Sequence, residues 1–396
     1  MIIGVPTETY PDERRVALVP SFVSKLTKAG MEILVEEGAG SKAGYPDATY
    51  KEQGARLVPD ASEIFSKAKV VLRVHVLGGK AGNGRADLKK LQSGQVLIGL
   101  LNPLGAPESA KKLAKAGATS FALELLPRIS RAQPMDVLSS MATIAGYKAV
   151  LMAAGALKKM FPMMITAAGT IAPARVFVVG AGVAGLQAIA TARRLGGVVQ
   201  SYDVRPVVKE QVESLGAKFL VLELQTKEAE GAGGYAKAMG EEFYSRQRKM
   251  MTSVVAESDV VITTAAIPGK KSPILVTEEM VKGMRPGSII VDLAAEGGGN
   301  CELTKAGETV EVHGVTLMGP LNLPSSIPYH ASQMYSKNVT SFLDLLVKDG
   351  ELHLDREDEI IRDTLLTHEG EVVNARVREL LGLPAAAPTT AEGSGS

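Results

Sequence analysis

Residues 175–188 read Arg175-Val-Phe-Val-Val-Gly180-Ala-Gly-Val-Ala-Gly-Leu-Gln-Ala188. A short run of β-formers is followed by Gly-x-Gly-x-x-Gly and then by residues that favour a helix. In such a unit the first glycine permits a tight turn, the second lets the backbone approach a pyrophosphate, and the third lets the helix pack closely on the strand. The stretch predicts a dinucleotide site with its phosphates at a helix N-terminus. The residues predicted to line the phosphates are Gly180, Gly182, Val183, Ala184 and Gly185.

A carboxylate follows the next predicted strand. Asp203 comes directly after the β-rich run Val198–Tyr202 and lies 18 residues beyond Gly185. That spacing is near the roughly 20 residues expected for the acid that binds the ribose hydroxyls. A carboxylate there would repel a 2′-phosphate and favours NAD(H) over NADP(H), whereas the nearby Arg205 weakens this preference. We expect Asp203, Val204 and Arg205 to lie around the adenosine ribose.

Composition excludes several classes of function. The 396-residue chain has 44 Lys and Arg against 43 Asp and Glu, a formal net charge of +1. This balance gives no support for a nucleic-acid binder or a polybasic membrane-surface protein. The single cysteine, Cys301, excludes an intramolecular disulfide framework and a Cys-cluster zinc site. The five histidines include no pair at metal-ligand spacing, so we expect no metal.

The sequence shows no evident membrane span or signal peptide. The most suspicious apolar run is 176–192, which is shorter than the roughly 20 residues that a spanning helix needs and contains three glycines. The first six residues have no basic region or cleavage site. We therefore expect a cytosolic protein.

Alternating strands and helices occur twice along the chain and predict an α/β protein of two Rossmann-like, doubly wound parallel-sheet domains with a cleft between them. An amphipathic helix over Ser332–Lys348 is expected to pack back on the first domain and make it discontinuous. The predicted domains are 1–138 plus 328–383, and 139–327. Residues 384–396 are rich in Ala, Pro, Thr, Gly and Ser and predict a disordered tail.

In the first domain, strands are predicted at Ile2–Val5, Glu32–Glu36, Val70–Val76, Gln95–Leu100 and Thr119–Ala122, and helices at Ser21–Ala29 and Ser109–Ala116, with Ser21 and Ser109 as caps. In the second domain, strands are predicted at Val176–Val179, Val198–Tyr202, Lys218–Val221, Val260–Thr263 and Ser288–Leu293, and helices at Leu186–Leu195 and Lys209–Leu215.

Two further strand ends are expected to border the same crevice, because ligands of open α/β sheets sit at the carboxyl ends of strands. Thr264 and Ala265 follow one strand, and a small-residue run from Asp292 to Gly299 follows another. Small side chains there leave room for a ribose or a nicotinamide. The alternative is that both are ordinary glycine-rich loops.

Two loops carry candidate site residues. The polar stretch 127–140 holds Arg128, Gln133, Asp136 and Ser139 just before a predicted helix. These side chains position and stabilise ligands, although a solvated loop would have the same composition. Residues 231–242 place Tyr235 and Met239 among glycines, which is typical of a mobile lid or of a flexible surface insertion.

No acid–base constellation is evident. His75, Tyr147 and Lys148 are isolated in the sequence, and isolated residues of these types are more often structural.

At these residues the sequence resembles the NAD(H)-binding component of proton-translocating nicotinamide nucleotide transhydrogenase. The resemblance runs from Glu13-Arg-Arg-Val-Ala-Leu-Val-Pro20 to about Lys348. It is most specific in Arg128-Ile-Ser-Arg-Ala-Gln133-Pro-Met-Asp136 and in Gly233-Gly-Tyr-Ala-Lys-Ala-Met239.

The resemblance implies a homodimer of two Rossmann-like lobes that binds NAD(H). Hydride would pass directly to or from NADP(H) held on a partner subunit, and a membrane-embedded subunit would couple that step to proton movement. Such a chain would lie at the inner face of the cytoplasmic membrane through its partners. Gln133, Arg128, Asp136 and Ser139 would hold the nicotinamide side, Asp203 the adenosine ribose, and Tyr235 and Met239 the closing lid. Direct transfer between two nicotinamide rings moves no substrate proton, so the absence of an acid–base pair fits.

The main alternative is an alanine dehydrogenase, from a related family with the same two-lobed fold. Resemblance to that family extends to Arg15, Asp292 and the Thr367-His-Glu-Gly stretch. However, its substrate lysine falls at His75, its catalytic histidine at Asn102 and its nicotinamide-side acid at Glu296. Asparagine cannot act as a general base at neutral pH, which disfavours amino-acid oxidation. A non-catalytic NAD-binding protein is a further alternative, although it would need neither the polar loop nor the lid.

Overall fold

The computed structural model describes residues 1–76, 88–221, 240–266 and 269–384. The chain forms two compact units. The first comprises Met1–Leu138 and the segment from Pro328 onward, and the second comprises Ser139–Ile327. The predicted lid residues Tyr235 and Met239, and the predicted tail beyond Pro384, lie outside the described residues.

The N-terminal segment alternates strands with short helices. Its strands are β1 (Ile2–Val5), β2 (Glu32–Glu36), β3 (Arg56–Val58), β4 (Val70–His75), β5 (Val96–Leu100) and β6 (Thr119–Ala122). Its helices are α1 (Pro20–Lys28), α2 (Asp47–Glu52), α3 (Ala61–Lys67) and α4 (Glu108–Lys115), with 3₁₀ turns at Ser41–Ala43, Leu123–Leu125 and Ser130–Met135.

The middle segment repeats the alternation. It follows α5 (Val137–Ala156), whose first two residues belong to the first unit. The strands are β7 (Met164–Thr166), β8 (Gly169–Ile171), β9 (Arg175–Val179), β10 (Val198–Tyr202), β11 (Lys218–Phe219), β12 (Val260–Thr263), β13 (Ile289–Asp292), β14 (Thr309–Val312) and β15 (Val315–Met318). The helices are α6 (Val183–Arg194), α7 (Lys209–Ser214), α8 (Glu241–Glu257) and α9 (Glu278–Lys282), with 3₁₀ turns at Pro206–Val208, Ala295–Gly297 and Leu323–Ser326.

The C-terminal segment returns to the first unit. Its elements are α10 (Pro328–Leu346), β16 (Val347–Lys348), β17 (Glu351–Leu352), α11 (Glu359–Thr364), β18 (Leu365–His368), β19 (Glu371–Val372) and α12 (Ala375–Leu380).

Both units contain a doubly wound sheet, so the predicted fold class is confirmed. In the first unit the strand order is β19-β18-β6-β5-β4-β1-β2-β3, and β1 to β6 are parallel. In the second it is β11-β10-β9-β12-β13-β15-β14, parallel apart from β14. Strand order therefore reverses between β1 and β4 in one sheet and between β9 and β12 in the other. Ligands of such sheets bind at these switch points, outside the carboxyl ends of the strands.

The central strands are mostly apolar because helices cover both faces of a parallel sheet. Val260, Val261 and Ile262 of β12 are fully buried, and alternate residues contribute to the two cores on opposite faces of the second sheet. The bounds of the strands predicted from the sequence agree with the structure within one or two residues, and most of these strands are short runs rich in apolar residues.

Two predicted helix caps are wrong. Helix α1 begins at Pro20 and α4 at Glu108, each one residue before the serine expected to cap it. The preceding residues, Val19 and Pro107, make no side-chain cap bond. Proline is well suited to the first position of α1 because it has no N–H group to satisfy there.

Helix α5 is the helix among the described residues that is long and apolar enough to cross a membrane by length and composition. The apolar run 176–192, considered above as a possible span, forms most of β9, a turn and most of α6. Ala149, Val150 and Ala153 of α5 are buried in a core of the second unit, and 39% of the most apolar stretch of the helix is buried. Core helices share this composition, so the length alone is weak evidence for a span.

Helix α10 is tied into the first unit by hydroxyl groups. It begins at Pro328, earlier than predicted, and ends at Leu346. Ser336 Oγ accepts a hydrogen bond from Val19 N (2.9 Å) and donates to Ala17 O (3.1 Å). Tyr335 Oη donates to Arg73 O over 2.7 Å. These bonds satisfy backbone groups that would otherwise be buried without partners.

Replacing Ser336 by alanine should lower the free energy of unfolding by about 1–3 kcal/mol, because two buried backbone groups lose their partner. Urea denaturation followed by circular dichroism measures the loss. The control is Ser214→Ala at an exposed serine whose hydroxyl donates to Gln211 O within α7, where the change should be within about 0.5 kcal/mol. Equal effects of the two substitutions would contradict the assigned role of Ser336.

Candidate functional site

The glycine-rich turn joins β9 to α6 at the switch point of the second sheet. Gly180 adopts a φ of +100°, which side-chain-bearing residues rarely adopt, and its N–H donates to Tyr202 O over 2.8 Å. A Cβ atom on Gly185 would lie 1.8 Å from the carbonyl oxygen of Gly180. The first and third glycines are therefore required by the fold itself.

Gly182 differs from the other two glycines. It precedes α6 with an ordinary φ of −75°, and a Cβ atom placed on it would meet no atom of the described residues within 4 Å. The turn leaves open space beside Gly182, directly before the first turn of a twelve-residue helix. Val183, Ala184 and Gly185 form that first turn, where N–H groups have no intrahelical acceptor and the helix dipole favours an anion. This cradle fits a pyrophosphate.

Asp203 follows β10 at the neighbouring strand end and is only 8% exposed. One carboxylate oxygen, Oδ2, accepts a hydrogen bond from Ala181 N, inside the glycine turn, over 2.7 Å. The same carboxylate forms an ion pair with Arg205, whose Nη2 lies 2.9 Å from Oδ2. Val204 between them packs against the apolar core on one face of the sheet. Asp203 and the turn thus form one hydrogen-bonded unit.

Thr264 and Ala265 close the other side of the turn, after β12. Thr264 Oγ1 donates to Gly180 O over 3.1 Å. Ala265 N donates to Asn300 Oδ1 over 2.9 Å, and Asn300 Nδ2 donates back to Ala265 O over 2.8 Å. The side chain of Asn300 therefore holds this strand end in place.

Asp292, at the end of β13, organises the loop that carries Asn300. It is fully buried and accepts hydrogen bonds from Thr263 Oγ1 (2.9 Å) and Thr304 Oγ1 (2.6 Å), and from three backbone N–H groups. One of those groups belongs to Cys301, and burial raises the pKa of the Cys301 thiol to about 11. Asp292 is thus a structural carboxylate with a full set of donors, and Cys301 is not poised as a thiolate.

The part of the polar loop that belongs to the first unit is held in place by α10 and by the residue that caps α11. Asn338 Nδ2 of α10 donates to Pro134 O over 2.8 Å, and Ala132 and Met135 are buried. Arg131 Nη1 and Nη2 lie 2.5 and 3.0 Å from the two carboxylate oxygens of Asp358, which caps α11.

These contacts leave predicted residues of the loop facing outward. Arg128 and Gln133 are exposed, and Asp136 is partly exposed directly before α5. Ser139 is partly exposed, and its carbonyl oxygen accepts a hydrogen bond from Thr143 Oγ1. Arg128, Gln133 and Asp136 belong to the first unit, and Ser139 is the first residue of the second.

A buried charged cluster lies at the switch point of the first sheet. Arg15, which is 3% exposed, donates from Nε and Nη2 to the two carboxylate oxygens of Glu13 over 2.8 and 2.6 Å. His75 Nε2 lies 3.3 Å from Glu13 Oε2, and the ring of Tyr10 stacks on His75 at 4.2 Å. Burial alone would raise the pKa of Glu13, but hydrogen bonds from Arg15 and His75 hold it well below its usual range.

The structure therefore brings together one set of predicted residues at the edge formed by β10, β9 and β12. This set contains Gly180, Gly182, Val183, Ala184, Gly185, Asp203, Val204, Arg205, Thr264 and Ala265. Asn300, Thr304 and the pairing of Glu13 with Arg15 were not predicted from the sequence. Asn300 could have been noticed, because it follows a Gly-Gly-Gly run after a strand end, where a side chain that fixes the loop is needed.

Two family models together match nearly the whole chain. The sequence model of the alanine dehydrogenase/PNT N-terminal domain matches residues 4–145, and that of the C-terminal domain matches residues 149–375. This chain belongs to the alanine dehydrogenase/PNT family.

Within this family the chain is more similar to transhydrogenases than to alanine dehydrogenases. It is 47% identical to the first part of the NAD(P) transhydrogenase alpha subunit of Rhodospirillum rubrum over 94% of this chain and 98% of that protein. The solved structure of a transhydrogenase from Sinorhizobium meliloti has a TM-score of 0.82 and 43% identity, covering 95% of this chain and 100% of that one. The alanine dehydrogenase of Mycobacterium tuberculosis is 29% identical over 98% of this chain and 99% of that protein.

Substituting Gly182 and Gly185 by alanine should have opposite consequences. Gly182→Ala should fold with unchanged stability, because its Cβ meets nothing and its φ is ordinary, but the methyl group should weaken dinucleotide binding at least about tenfold by occupying the phosphate cradle. Gly185→Ala should lower the melting temperature, because its Cβ collides with Gly180 O.

Isothermal titration calorimetry and thermal melting of both variants separate the two effects. The exposed Gly155 of α5, whose Cβ would also meet nothing, provides a matched Gly→Ala control away from the turn. Undiminished binding by Gly182→Ala would show that the cradle is not the phosphate site.

Proposed function

We propose that this chain is the NAD(H)-binding subunit of a proton-translocating NAD(P) transhydrogenase. In this proposal NAD(H) binds to the second unit, and hydride passes directly between it and NADP(H) held on a partner subunit. A membrane-embedded subunit couples the transfer to proton movement. The chain would be peripheral at the inner face of the cytoplasmic membrane through these partners.

The observation that carries the proposal is the cradle at the switch point of the second sheet. Open space at Gly182 before the α6 N-terminus suits the pyrophosphate, and the Asp203 carboxylate lies one hydrogen bond away from the turn. Similarity at 47% identity to the first part of a transhydrogenase alpha subunit, over 98% of that protein, supports the reaction class.

The nicotinamide of a bound dinucleotide would supply the hydride, and the residues of this chain would position it. The first-turn N–H groups of α6 would hold the phosphates, and Asp203 would accept hydrogen bonds from the adenosine ribose. Gln133 and Arg128, exposed on a loop braced by Asn338 and Asp358, would fix the nicotinamide side together with Asp136 and Ser139. A braced loop suits this task because hydride transfer depends steeply on distance and orientation.

Alanine dehydrogenase activity is the alternative, and the first unit argues against it. The Glu13 carboxylate pairs bidentately with Arg15, which neutralises the charge that a substrate carboxylate would need. Asn102, at the position of that family's catalytic histidine, donates its backbone N–H to Glu124 and offers no basic side chain. The wild-type chain should therefore form no NADH from NAD and L-alanine.

Gln133→Asn should slow hydride transfer by about tenfold or more and change the Kd for NADH less than about twofold. Shortening the side chain by one methylene withdraws its amide from the nicotinamide but leaves the phosphate and ribose contacts in place. Stopped-flow transfer with an NADP-binding transhydrogenase subunit gives the rate, and calorimetry gives the Kd. The exposed Gln211→Asn on α7 is the control. Equal losses of rate and affinity would contradict a positioning role.

We further propose that the chain is a homodimer in which the hairpin β7–β8 contacts a second copy. Its two strands pair only with each other among the described residues, and isolated hairpins are marginal in water. Ile165 is 81% exposed and Met163 is 59% exposed, next to exposed Met164 and Ile171. Such a concentration of exposed apolar side chains is typical of a protein interface.

Ile165→Asp should convert the dimer to a monomer, because it places a charge in the apolar contact. Sedimentation velocity measures the mass. Leu380→Asp, at a similarly apolar residue that is 55% exposed on α12, is the control and should leave the dimer intact. A wild-type monomer, or an unchanged dimer in Ile165→Asp, would refute the assignment of the hairpin.

A further inference from the structure

The carboxylate of Asp203 has no acceptor position left for a ligand. Its Oδ1 accepts hydrogen bonds from Arg205 N (2.8 Å) and Arg205 Nε (2.9 Å). Its Oδ2 accepts from Ala181 N (2.7 Å) and Arg205 Nη2 (2.9 Å). Two carboxylate oxygens offer about four lone-pair sites, and these four donors fill them.

The four donors fall into two groups. Ala181 N and Arg205 N belong to the backbone, so they hold the carboxylate in place whatever the arginine side chain does. Nε and Nη2 belong to the guanidinium, which can rotate away. Its departure would free one site on each oxygen, and a ribose carries two hydroxyls at adjacent carbons. The vacated sites therefore match in number the 2′- and 3′-hydroxyls of an adenosine ribose.

The ion pair between Asp203 and Arg205 is shielded from water, so breaking it costs more free energy than breaking an exposed pair would. The side chain of Asp203 is 5% exposed and that of Arg205 is 14% exposed. Bidentate hydrogen bonds between ionised groups are among the stronger ones, and exposed pairs gain much less. A ribose that binds Asp203 must compete with this pair.

We propose that Arg205 sets the dinucleotide preference of this site by competing with the ribose for Asp203. The inference rests on the proposed function, which places NAD(H) in the second unit. When the ribose displaces the guanidinium of Arg205 from Asp203, the guanidinium stays near the ribose, because the backbone N–H of Arg205 remains bonded to Asp203. There its charge favours a 2′-phosphate, while the charge of Asp203 opposes one. Arg205 thus weakens NAD(H) binding and reduces the difference between the affinities of the site for NAD(H) and for NADP(H).

Four variants of the full chain test this role by calorimetric titration with NADH and with NADPH. Arg205→Gln should tighten NADH binding by about three- to tenfold, because the competing ion pair is gone, and should not improve NADPH binding. Asp203→Asn should weaken NADH binding and improve NADPH binding by about tenfold, because the arginine charge is no longer neutralised. The double variant Asp203→Asn/Arg205→Gln should lose that gain. Arg194→Gln, at an exposed arginine at the end of α6, should bind both dinucleotides like the wild type.

Arg205→Lys is the conservative variant, to be used if the glutamine variant melts early. A lysine keeps the charge but cannot form the bidentate pair, so its NADH affinity should lie between those of the wild type and Arg205→Gln. Unchanged or weaker NADH binding by both Arg205 variants, with a wild-type chain that binds NADH, would overturn the inference alone. An improvement of NADPH binding by Asp203→Asn that persists in the double variant would also overturn the inference. A wild-type chain that binds no NADH would overturn the proposed function and this inference with it.

Discussion

The close approach of α6 to β9 is the constraint on which the rest of the second unit depends. The backbone of Gly185 lies so near the Gly180 carbonyl that no side chain fits between them. Thr264 Oγ1 bonds to the same carbonyl from the neighbouring strand, so the turn is pinned between α6 and β12. This packing aims the N-terminus of α6 at the carboxyl edge of the sheet and leaves the space beside Gly182 open. The ligand cradle is thus a consequence of how the helix packs.

Buried carboxylates extend this arrangement to the neighbouring strand ends. Asp203 ties β10 to the turn through Ala181 N, while Asp292 gathers five donors and thereby places Asn300, which in turn holds Ala265. The two acids have different capacities for function. Asp292 is fully buried and accepts from three backbone N–H groups and from the short side chains of Thr263 and Thr304. Two of the four donors to Asp203 belong instead to the long side chain of Arg205, which we propose a ligand displaces.

Much of this fold could be predicted from the sequence because its signals are local. Strands such as β12 and β13 are short, mostly apolar runs, and the turn around Gly180 has a recognisable spacing, so the predicted bounds of these strands and the position of Asp203 agree with the structure. Three features were not predicted. The antiparallel strand β18 pairs with β6, which is distant in the sequence. The hairpin β7–β8 and the bidentate pairing of Glu13 with Arg15 are local, but neither leaves a periodic apolar signal in the sequence. Arg205 shows the same limit. Its proximity to Asp203 was evident, but its occupation of both carboxylate oxygens depends on side-chain conformation.

We propose that this chain presents NAD(H) for direct hydride exchange with NADP(H) on another subunit. The most direct test is single-turnover transfer from NADPH to an NAD analogue, with the purified wild-type chain mixed with a soluble NADP-binding transhydrogenase subunit. A parallel reaction would contain NAD and L-alanine without the partner. The account predicts rapid transfer that requires both proteins and no NADH from alanine. Alanine-dependent NADH formation by the chain alone, with no transfer in the mixture, would contradict it.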